Sequence, residues 1–210
     1  MPFSAWLSLL AATVVISFTP GAGAINTMSI SLTRGWRRSL WGIIGQQIAL
    51  IVHIVIAAAG LGVLVASSPV LFALIRYAGA AYLAYLGLRM LFSRPRAKEE
   101  GAAGPASRFG DRRRDLVMRG IWVNLLNPKA IVFFLAFIPQ LVRLDQPQLP
   151  QYLIIAATTV LVDTCVMWFF FAAAAKPFGR FAGTMRGQQV LGSIFGALFI
   201  AVAALLLCIR

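Results

Sequence analysis

Residues 117–141 read VMRGIWVNLLNPKAIVFFLAFIPQL. The run is longer than the roughly 20 residues a helix needs to cross about 30 Å of hydrocarbon. At its centre lies Asn124-Leu125-Leu126-Asn127-Pro128-Lys129. Proline has no N–H and clashes with the carbonyl four residues back, so Pro128 breaks the helix and frees the carbonyl of Asn124. A freed carbonyl is tolerated at membrane depth only where protein or a water-filled cavity covers it. A lysine at a helix centre adds a cost of roughly 2.5–3.5 kcal/mol. The stretch therefore predicts a membrane-crossing helix interrupted at a polar site.

Five more apolar stretches, 4–27, 39–65, 70–92, 149–174 and 190–209, have comparable length. The whole chain is 60% hydrophobic and 12% charged, with mean hydropathy +0.84. A soluble domain carries about a quarter charged residues. Barrel strands are shorter and alternate polar with apolar. The expectation is an all-α membrane protein with six transmembrane helices. The first run ends in Gly21-Ala22-Gly23-Ala24, as a signal peptide can, but no Lys or Arg precedes it. It is read as a retained first span.

The net charge of +13 is placed by loop. Arg34, Arg37 and Arg38 lie in the first loop; Arg94, Arg96, Lys98, Arg108, Arg112, Arg113 and Arg114 in the third; Lys176, Arg180 and Arg186 in the fifth. The second loop has no basic residue and the fourth has only Arg143. This is the positive-inside pattern. It predicts odd loops in the cytoplasm and both termini outside, and it accounts for the charge without nucleic acid. Cys165 and Cys208 lie within spans, without CxxC spacing, and read as small packing residues.

Residues 93–116 mix Gly, Pro, Ser and charge without apolar periodicity and read as a cytoplasmic linker. It divides a single transporter domain, 1–210, into halves of three spans, about 1–92 and 117–210. Three is odd, so the halves have opposite orientation. The first span of each is broken by proline: Thr19-Pro20-Gly21 in one, Asn127-Pro128-Lys129 in the other. Pro20 frees the carbonyl of Ile16. Interrupted spans at matching positions in two inverted repeats point to a transport site. The plainer reading is two unrelated kinks.

Three ionisable groups fall near the centres of spans: His53, Lys129 and Asp163. Thr159, Asp163 and Met167 share one helix stripe. A carboxylate balanced between desolvation and a nearby cation can trade its proton for a cationic group, as a proton antiporter requires. A static Asp163–Lys129 pair is the structural alternative. Gln46 and His53 share a face. The lone histidine is a poor metal signal and reads as a core residue or a proton-relay member. Asn124 and Asn127 offer donors and acceptors to a zwitterion, or glue between helices. A helix resuming after Pro20-Gly21 presents a positive dipole end to a carboxylate, with Ser17, Thr19 and Asn26 nearby. Gly192-x-x-x-Gly196 is a helix-packing motif, within the chain or in a homodimer.

Three of these motifs, Thr19-Pro20-Gly21, the block from Asn124 to Ala130, and Ile138-Pro139-Gln140, resemble the LysE/RhtB superfamily of bacterial amino-acid exporters. The likeness covers nearly the whole chain. The stretch from Gly23 to Met28, His53-Ile54-Val55, Pro147-Gln148-Leu149 with Gln151-Tyr152, and the stretch from Thr158 to Asp163 look like its homoserine/homoserine-lactone efflux branch. Much of the superfamily reads Pro-Gly-Pro where this chain has Pro20-Gly21-Ala22; the homoserine branch also lacks that second proline. The resemblance implies a six-span, proton-driven exporter of homoserine, its lactone or threonine in the bacterial inner membrane; the loop charges make both termini periplasmic, and no cofactor or metal is expected.

On this reading the substrate meets Pro20, Gly21, Asn26, Gln46, Asn124, Asn127, Pro128 and Lys129, and Asp163 with His53 carries the proton. Lys129 tunes Asp163 or takes the substrate carboxylate. The alternatives are export of another amino acid such as lysine or a branched-chain one, an intramembrane enzyme using His53 and Asp163 as an acid–base pair, and a non-transporting membrane subunit.

Overall fold

The computed structural model describes residues 1–67, 69–92, 110 and 112–208. These are helical nearly throughout, with no strand among them. The order is α1 (Phe3–Phe18), α2 (Ala22–Arg34), α3 (Trp36–Ser67), α4 (Pro69–Phe92), α5 (Arg113–Leu125), α6 (Pro128–Leu141), α7 (Gln148–Cys165), α8 (Ala175–Gly183) and α9 (Met185–Cys208). Beyond Cys165, α7 continues as a π-helix over Val166–Ala172.

Both predicted breaks are present. The α1–α2 pair bends by 52° and the α5–α6 pair by 61°. Among the described residues three helices are long and apolar enough to cross a membrane, and counting each bent pair as one span makes five. The expected span 70–92 is helix α4, with 24 residues. Arg76 Nε donates to the Leu206 carbonyl at 3.0 Å, so this cation sits on the negative end of α9. Two boundaries move. The expected linker 93–116 ends early, because α5 starts at Arg113, where the Asp115 carboxylate accepts the Arg112 N–H at 3.1 Å. The last helix starts at Met185 rather than 190, with Thr184 Oγ1 accepting from the Gly187 N–H. The rest of the expected linker, 93–111 except Gly110, lies outside the described residues.

Helix α3 shows how the sequence meets its solvent. Its buried face carries Ile43, Gln46, Gln47, Leu50, His53, Ile54 and Ala57; its exposed face is Ile44, Ile48, Ile51, Val52, Val55 and Ile56. The polar side chains Gln46, Gln47 and His53 point in among aliphatic ones, and the outward face is aliphatic throughout, unlike that of a soluble helix. The exposed face suits hydrocarbon.

The helices approach closely through glycine. A Cβ on Gly45 would lie 2.0 Å from the Val117 carbonyl, and one on Gly120 would lie 2.0 Å from that of Gly42, so α3 and α5 touch backbone to backbone. Gly87 on α4 meets the Gly196 carbonyl, and Gly192 meets that of Met90. The Gly192-x-x-x-Gly196 motif therefore packs α9 on α4 within the chain. Two apolar clusters result. The larger joins Leu9, Leu50, Leu83, Phe133, Phe137, Ile155 and Phe199; the smaller joins Ala24, Ile43, Val166, Met167 and Phe171.

Gly120→Val forces the α3–α5 contact apart and destabilises by at least about 1–3 kcal/mol, the ordinary cost of overpacking. Gly179→Ala, with nothing within 4 Å of the new carbon, stays within about 0.5 kcal/mol. Thermal unfolding of the detergent-purified variants checks the contrast.

Candidate functional site

The two breaks are stitched to each other. Pro20 frees the Ile16 carbonyl, and Lys129 Nζ, from the other break, donates to it at 2.9 Å. The same ammonium donates to the Thr19 carbonyl at 2.9 Å. Lys129 thus caps the C-terminal, negative end of α1. At its own break, Asn127 is the N-cap of α6: its Oδ1 accepts the Lys129 N–H at 3.1 Å, and Pro128 occupies the first turn, where a missing N–H is harmless. The Asn124 carbonyl, freed by Pro128, takes the Asn127 N–H at 3.1 Å. Asn124 Nδ2 donates to the Gln46 carbonyl at 3.0 Å, tying α5 to α3. His53 hydrogen-bonds the backbone of Leu125, beside this break.

Asp163 lies close by on α7. Its Oδ1 accepts from Ser17 Oγ at 2.9 Å and its Oδ2 from Gln47 Nε2 at 2.7 Å. Asp163 and Lys129 are within electrostatic reach but do not form a direct ion pair. A simple static pair is therefore not what this geometry shows. Each charge is held by neutral dipoles, which leaves it free to respond to another charge.

Between the breaks lies a cavity of about 40 Å³, lined on its polar side by Ser17, Gln46, Asn124, Asn127, Lys129 and Asp163. Gly23 and Ala24, in the first turn of α2, present that helix's N-terminus to it. Phe133, Phe134 and Met167 close the apolar side. The predicted stripe of Thr159, Asp163 and Met167 faces this space. At about 10–15 Å³ per water centre the cavity admits a few waters; an amino acid needs its walls to part.

The residues singled out in the sequence fall into two groups. Gln46, Asn124, Asn127, Lys129 and Asp163 come together around the cavity. Pro20, Gly21 and Pro128 shape the breaks without lining it. Asn26 is buried beside Gly42, off the lining, and its amide has no partner among the described residues. His53 is also off the lining, stacked on Phe134 with ring centroids 6.0 Å apart, and its Nδ1 is unpartnered among the described residues. It makes no direct hydrogen bond to Asp163, whose oxygens accept from Ser17 and Gln47. Gln47 is the functional neighbour that the sequence reading passed over. An amide in the middle of an aliphatic helix was its available signal. The π-helix was also missed. There the Ala172 carbonyl accepts from Ser31 Oγ at 2.6 Å and the Trp168 carbonyl from Trp36 Nε1 at 3.0 Å; such segments recur at functional sites. Among the described residues no group of His, Cys, Asp and Glu is placed to hold a metal ion.

Residues 14–209 match the family profile described as LysE type translocator. The chain is 39% identical over 210 residues to the homoserine/homoserine lactone efflux proteins of Salmonella typhi and Salmonella typhimurium, covering 100% of this chain and 99% of each relative. It is 30% identical over 201 residues to the leucine efflux protein of Salmonella choleraesuis, covering 95% of this chain and 92% of that one. No solved structure matches. A profile spanning nearly the whole chain, together with full-length relatives named for amino-acid efflux, establishes that this protein belongs to the LysE-type translocator family.

Proposed function

We propose that this chain exports small hydroxylated amino acids, homoserine, its lactone and threonine, across the bacterial inner membrane in exchange for protons. The observation that carries the reading is the convergence of two broken helices on one buried cavity holding an ammonium, a carboxylate and amides from both halves. The names of the 39%-identical relatives suggest homoserine and its lactone. The leucine efflux relative keeps an aliphatic substrate as the second reading. Ser17, Asn124 and Asn127 on the lining favour a substrate with a hydroxyl, since an aliphatic one would leave these groups unpaired.

The transporter is a single domain of six spans in two inverted repeats: α1–α2, α3 and α4, then α5–α6, α7 with its π-helix, and α9. Several contacts pair off as such a repeat requires. The packing of α3 on α5 has its counterpart in α7 on α1, and that of α3 on α6 in the π-helix on α2; α4 packs on α9. Relative directions fit alternating spans: Gly42 and Gln46 run against Ile30 and Gly23, whereas α1 and α7 run together through the pairs Trp6–Thr158 and Ser17–Asp163. With basic loops inside, both termini face the periplasm. Rocking of one half on the other opens the cavity to each side in turn, and Asp163 carries the proton. Nothing in this scheme needs a cofactor or a catalytic residue.

Inside-out vesicles with an imposed pH gradient test the coupling. Wild type accumulates homoserine and threonine in preference to lysine. Asp163→Asn loses gradient-driven accumulation, by 5- to 150-fold on the scale of ordinary coupling energies, yet retains exchange down a concentration gradient. Unchanged accumulation would remove Asp163 from the coupling. For topology, single cysteines at Ser4 and Gly179 are placed in a variant lacking Cys165 and Cys208. In intact cells an impermeant maleimide labels the first and spares the second; the reverse pattern refutes the orientation.

A further inference from the structure

We propose that the main-chain carbonyls of Ile16 and Thr19 form the ammonium subsite for the transported amino acid, and that Lys129 occupies it as a tethered stand-in until substrate displaces it. The inference rests on the export reading for the identity of the cargo, but the subsite itself rests on geometry.

The Lys129 side chain is partly buried, and the partners of its ammonium are the two carbonyls at 2.9 Å each. They sit at the end of α1 because Pro20 removes the N–H that would have bonded Ile16. Backbone oxygens at a helix C-terminus, with a carboxylate in electrostatic reach, are what any primary ammonium seeks in a low-dielectric space. An α-ammonium presents the same three donors on the same compact charge as a lysine side chain. Both carbonyls are taken by Lys129, so a substrate ammonium cannot use them while the lysine stays. Substrate and Lys129 therefore compete for one place.

Other features fit an occupant that leaves. The lysine stem lines the cavity, so its departure enlarges a space now too small for an amino acid. Gly21 makes the approach possible: a Cβ there would stand 3.3 Å from Lys129 Nζ. Lys129, held by the two carbonyls, is thus assigned to the amine end of the substrate, as its rival.

Two measurements on detergent-purified full-length protein test this. In the first, Lys129→Ala leaves the subsite empty, and n-butylammonium, the detached lysine side chain, raises its melting temperature while butanol does not; neither shifts wild type. No stabilisation by butylammonium overturns the subsite, whatever the protein transports. In the second, calorimetric titration compares L-homoserine, homoserine lactone and N-acetyl-homoserine. If Lys129 fills the subsite in nine-tenths of wild-type molecules, Lys129→Met binds the two amines about tenfold more tightly, and the acetylated compound binds neither protein. Equal or weaker amine binding by Lys129→Met overturns the displacement. If that variant does not fold, Lys129→Gln, whose amide still donates to the carbonyls, shows a smaller gain; a loss overturns the proposal equally. Stabilisation by butylammonium without binding of any amino acid would leave the subsite standing and refute the export reading.

Discussion

One ammonium group joins the halves of this protein. Lys129, from the break in the second half, closes the carbonyls that Pro20 opens in the first. In hydrocarbon neither a bare carbonyl nor a bare cation is affordable, so each break needs the other. Removing one partner leaves the other as a buried unpaired group, which costs more than the bond was worth. A site assembled this way depends on the two halves staying in register, and any motion between them is felt first at this contact.

The register is kept by close packing. Gly42, Gly45 and Gly120 bring α3 and α5 into backbone contact, and Gly87, Gly192 and Gly196 do the same for α4 and α9. Lipid supplies no hydrophobic drive between helices, so small residues and short contacts hold the assembly. Two apolar clusters lie to either side of the polar pocket, one rich in phenylalanine from α6, the other reaching the π-helix. They keep the pocket small and its charges strong.

Charge in the pocket is carried by dipoles rather than by a salt bridge. Ser17 and Gln47 hold Asp163, and two carbonyls hold Lys129. A direct pair would be a deep well, difficult to enter with a third charge. Separate holders let a proton or an amine come and go at modest cost. The ends of four half-helices meet here, two positive and two negative, and a zwitterion matches that arrangement.

The helical class, the two breaks and the inward-facing ionisable groups were legible in the residues themselves. Pro20 and Pro128 obey local covalent rules, and the apolar runs report their solvent directly. The stripe of Thr159, Asp163 and Met167 follows from helix periodicity. What periodicity does not carry is the partner. Gln46 and Gln47 are neighbours in the sequence, yet one bonds Gly23 and Thr27 while the other bonds Asp163. Asn26 and His53 had the right chemistry but lie off the cavity. Lys129 reaches two carbonyls more than a hundred residues away because the tertiary fold brings the end of α1 beside the start of α6. Local sequence determines where a helix must break; only the packing of distant helices decides which group satisfies the break.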